Sequence, residues 1–81
     1  MVVKFTLRVA GQVMGIHGVS AQTAENFPEI LAEIVHEEVS QLFHTLHGSV
    51  SEIEIEFETD GGTTHSRAVF VDDGGFVIVA N

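Results

Sequence analysis

Val50-Ser51-Glu52-Ile53-Glu54-Ile55-Glu56-Phe57-Glu58-Thr59-Asp60-Gly61-Gly62 alternates apolar and acidic side chains and then runs into a turn. A period of two belongs to an extended strand, whose successive side chains point to opposite faces. Ile53, Ile55 and Phe57 therefore share one face, and Glu52, Glu54, Glu56 and Glu58 share the other. Asp60-Gly61 and Gly61-Gly62 are both dipeptides that reverse a chain in two residues. With either one the facing is kept: Ala68 and Phe70 fall in with the isoleucines, His65 and Arg67 with the glutamates. A second tight turn at Asp73-Gly74 leads into Phe76 to Ala80. That turn puts Val77 and Val79 on the core side and leaves Phe76 and Ile78 on the other face with Val50, Val69 and Val71. A three-stranded antiparallel meander is expected from Glu52 onward.

Upstream the period changes. Phe27, Leu31, Val35, Val39, Leu42 and Leu46 fall on one helical stripe, which Ile30, Ile34 and Phe43 widen. Glu29, Glu33, His36, Glu37, Ser40 and His44 fall on the opposite side. Asn26 and Glu29 have the spacing of a capping box, Pro28 suits a first turn, and Gly48 marks the stop. Thr23 is a second candidate for the start. At the N-terminal side Val2 to Val9 alternates again, with Val3, Phe5, Leu7 and Val9 facing the core and Lys4, Thr6 and Arg8 facing away. Gly11-Gln12 is expected to turn the chain into a second strand through Val13, Met14 and Ile16, weakened or bulged near Gly15 and Gly18. The fold class is α+β: a single helix packed on one face of a mainly antiparallel sheet of four or five strands, in the order β-(β)-α-β-β-β, forming one domain over residues 1–81.

Composition narrows the function classes. The chain has 81 residues, 44% of them hydrophobic, with no cysteine and a formal net charge of −9. A chain of this size buries about 60 to 65% of its unfolded surface and supports one core. Without cysteine there is neither a disulfide framework nor a thiolate metal site, and the cytoplasm is the default compartment. No apolar run approaches a membrane span, and the negative charge argues against nucleic acid or anionic membrane as direct ligands. No Walker loop, G-x-S-x-G or G-x-G-x-x-G occurs, so neither an enzyme nor a bound cofactor is expected. His44 and His47 stand at i, i+3 with His36 two turns back, a spacing that raises a His-dependent metal site as an alternative. No third ligand is placed, and imidazoles near a helix C-terminus also suit the macrodipole, so no metal site is assigned.

Two features point to a partner. The acidic rows Glu52, Glu54, Glu56, Glu58 and Glu29, Glu33, Glu37 repeat at about 6 to 7 Å, close to the phosphate interval of a nucleic-acid strand. All three basic residues, Lys4, Arg8 and Arg67, are expected on the same face as the strand glutamates, where pairing would leave the excess charge on the helix. Val69, Val71, Phe76 and Ile78 form an uncovered apolar patch on the face away from the helix. The expected function is thus a non-catalytic acidic protein-protein interaction module, an inhibitor or adaptor that binds a basic surface, with nucleic-acid mimicry as one form of it. The alternative is a homo-oligomeric structural subunit, such as a homodimer, assembling through the exposed sheet face.

Overall fold

The structure is a computed structural model and describes residues 2–46, 49–71 and 75–80. Its elements run β1 (Val2–Val9), β2 (Gln12–Ser20), α1 (Ala21–Asn26), α2 (Pro28–Thr45), β3 (Glu52–Thr59), β4 (Gly62–Phe70) and β5 (Phe76–Ala80). The strands form one antiparallel sheet in the order β2-β1-β3-β4-β5, so β2 and β5 are its edges. This is the small α+β domain expected, with all five strands present.

The core follows from the alternation. Phe5, Leu7, Ile53, Ile55 and Ala68 lie on one sheet face and are at most 2% exposed, and Val35, Val39 and Phe43 of α2 close over them. Phe5 lies beside Phe57 with ring centroids 5.9 Å apart and the rings tilted by 42°. Phe27 and Ile30, expected in the helical stripe, are exposed instead.

The helix is broken where one was expected. A residue before proline is pushed out of the helical region, and Phe27, at φ −135° and ψ 64°, separates α1 from α2. Ser20 caps α1 by accepting from the Thr23 amide at 3.1 Å, and Pro28 takes the first position of α2, where no side chain caps. Asn26 and Thr23 therefore lie inside α1 and are not caps. The expected stop at Gly48 lies outside the described residues, as does His47.

Turn parity decides the facing of each strand. Asp60-Gly61 makes the β3–β4 loop, pairing Thr59 with Gly62, as the alternation required. The first hairpin turns at Ala10-Gly11, one residue earlier than expected, with φ 52° and 81°; two positive φ values match the right-handed twist of the strands. In β2 the register jumps, Leu7 opposite Gly15 but Arg8 opposite Val13, so Met14 is an extra residue in a bulge. The Asp73-Gly74 turn lies outside the described residues, but its flanks pair Val71 with Gly75 and Phe70 with Phe76. Three residues separate Val71 from Gly75, where a two-residue loop would pair Phe70 with Val77. That difference of one residue flips all of β5. Phe76 and Ile78 thus face the helix and Val77 and Val79 face away, the reverse of the expectation.

Candidate interaction surface

The outer sheet face gathers every Lys and Arg of the chain. Lys4 Nζ lies 3.2 Å from Glu58 Oε2, Arg8 Nη1 lies 2.9 Å from Glu56 Oε2, and Arg67 Nη1 lies 3.2 Å from Glu52 Oε2. Strand register brings these groups together: Lys4 opposes Glu58, and Glu54 stands between Arg8 and Arg67. Glu56 is the least exposed of them, with its side chain 18% accessible, and His65 Nδ1 approaches the same oxygen at 3.8 Å. Between Lys4 and Arg8, Thr6 is only 4% exposed although it faces outward. The strand glutamates are therefore largely matched by cations rather than presented as an open acidic row.

The helices are treated differently. α1 and α2 carry Glu25, Glu29, Glu33, Glu37 and Glu38 and contain no Lys or Arg. Glu29, Glu33 and Glu37 are exposed on successive turns of one ridge, and Gln41 Nε2 donates to Glu37 Oε1 at 3.4 Å. Glu38 points to the β2 side instead, where its Oε2 lies 3.3 Å from His17 Nε2. His17 also stacks on Phe5 at 5.0 Å, and His17 and Glu38, with Leu7, Met14 and Gln41, line an open pocket of about 210 Å³. No motif in the sequence announces this contact, because 21 positions separate two residues that only the packing of α2 against β2 unites.

The expected apolar patch divides. Val69 lies opposite Val77 on the outer face, and Val71 is exposed nearby. Phe76 instead reaches under the helix, 5.6 Å from the Phe43 ring and 4.6 Å from the His36 ring. Ile78, 47% exposed, joins Pro28, Leu31, Ala32, Val35 and Phe57 around an apolar groove of about 250 Å³ between α2 and the β5 edge. Sequence reading missed this groove because it had β5 facing the other way.

His36 is engaged with Phe76, and among the described residues no group of three or more His, Asp or Glu is placed to hold a metal ion. Among the described residues no helix is long and apolar enough to cross a membrane. In comparisons with known proteins the chain matches no family model, no curated protein and no solved structure.

Proposed function

We propose that this chain is a non-catalytic binding module, an inhibitor or adaptor of the cytoplasm, that docks on a basic protein surface through the exposed ridge of α2. The observation that carries this reading is the uneven treatment of carboxylates. Those on the sheet are matched by Lys4, Arg8 and Arg67, whereas Glu29, Glu33 and Glu37 stand on a helix pair without any Lys or Arg. Like charges at i, i+4 weaken a helix by a few tenths of a kcal/mol per pair, so the ridge is a local cost that function would explain. Its repeat of about 6 Å per turn suits a groove or patch that otherwise receives phosphates, and this spacing supports mimicry by the helix ridge in preference to the strand.

The test compares affinity capture from host lysate by the parent chain, by the triple variant Glu29→Gln, Glu33→Gln, Glu37→Gln, and by Glu54→Gln as a sheet control. One basic protein retained by the parent and by Glu54→Gln, released by salt and lost with the triple variant, is the expected result. Retention by the triple variant, or no salt-sensitive partner at all, refutes the reading.

A further inference from the structure

We infer that the chain forms a two-fold dimer by pairing β5 with β5 of a second copy, edge to edge, so that the two sheets become one. The inference starts from the open side of β5. This strand hydrogen-bonds β4 alone, and Val71 N donates to Gly75 O at 3.0 Å. Antiparallel partners alternate between hydrogen-bonded and non-hydrogen-bonded pairs, so Gly75, Val77 and Val79 direct their backbone groups to β4. The N–H and C=O groups of Phe76, Ile78 and Ala80 then point outward, unpaired within the sheet.

Exposed strand edges are normally blunted by charge, proline, a bulge or a covering element. β2, the other edge, has one of these devices, the Met14 bulge. β5 has none. Its sequence, Phe-Val-Ile-Val-Ala, is apolar on both faces, and Val77 and Ile78 are nearly half exposed on opposite sides.

A second copy is the occupant that fits best. Antiparallel pairing about Ile78 is self-complementary: Ile78 meets Ile78 of the partner in a hydrogen-bonded pair, and Phe76 lies against the small Ala80. About six new backbone hydrogen bonds result, two for each of three such pairs. On the helix side the paired Ile78 side chains cover the mouth of the groove lined by Leu31, Val35 and Phe57; on the outer side Val77 meets Val79. Charge permits this contact: the net charge of −9 makes copies repel overall, but β5 itself brings no charged residue to the pairing.

Size-exclusion chromatography with light scattering and amide hydrogen exchange, both on the full chain, test this. A mass about twice 8.8 kDa is expected, with slow exchange at Phe76, Ile78 and Ala80 as well as at Val77 and Val79. Ile78→Lys should give a monomer with an unchanged far-UV circular dichroism spectrum, whereas Ile16→Lys on the β2 edge should remain dimeric. Exchange in the parent alone decides the matter should Ile78→Lys fail to fold. A monomeric parent with a fast Ile78 amide overturns the inference and leaves β5 to a foreign strand. A dimer that survives Ile78→Lys, or one that Ile16→Lys dissociates, overturns it equally.

Discussion

Ile55 and Ile16 are the same side chain with different surroundings. Ile55 is 1% exposed, paired with Leu7 and Ser66 beneath α2, while Ile16 is 58% exposed on the β2 edge. Truncating a buried isoleucine loses its transfer free energy and leaves a cavity, so Ile55→Ala should cost about 2–5 kcal/mol. Ile16→Ala should cost less than about 0.5 kcal/mol. Urea unfolding of the two variants, compared at constant m-value, checks the contrast; equal losses would contradict the placement of the core. This distinction was legible for β1 and β3, because each alternates cleanly between apolar and polar residues, and for β4 through the parity of the turn that joins it to β3. Which cation meets which glutamate was legible only as far as the shared face. Arg8 and Arg67 both stand directly opposite Glu54, but long side chains also reach diagonal neighbours: Arg8 engages Glu56, and Arg67 leans to Glu52.

At the scale of elements, chain reversals carried most of the information and produced most of the errors. The β3–β4 loop was readable because both candidate dipeptides gave one facing. The connection into β5 was not, since its parity turns on a single residue between Val71 and Gly75 that composition does not reveal. The division at Phe27 follows from Pro28, which keeps the preceding residue out of the helical region although the apolar stripe runs on across it. In the first hairpin, Ala10 holds φ 52° without the freedom of glycine or the side-chain support of asparagine. Ala10→Asn should therefore stabilise the domain by about 0.5–1 kcal/mol. A rise in melting temperature without change in the circular dichroism spectrum is the expected reading, and a fall would show that the turn does not depend on that backbone conformation.

Across the whole molecule, charge is distributed by layer: nearly balanced on the outer sheet face and uniformly acidic on the helices. Exposed ion pairs such as Lys4–Glu58 contribute about 0–1 kcal/mol each, whereas a net charge of −9 opposes compaction throughout. Raising sodium chloride from about 10 mM to about 0.5 M shortens the screening length severalfold and should raise the melting temperature. A decrease would mean that the ion pairs outweigh the repulsion. Pairing at β5 about an axis perpendicular to the sheet keeps both helices on one side and doubles the acidic ridge without new sequence, so a basic target with two matching patches would gain avidity. The Met14 bulge then acquires a meaning at a larger scale. Once two β5 strands have closed on each other, the only margins left are two copies of β2, each interrupted by one residue out of register. Were β2 straight, such a pair would have growing ends, and association would run on as a ribbon; the bulge would hold the count at two.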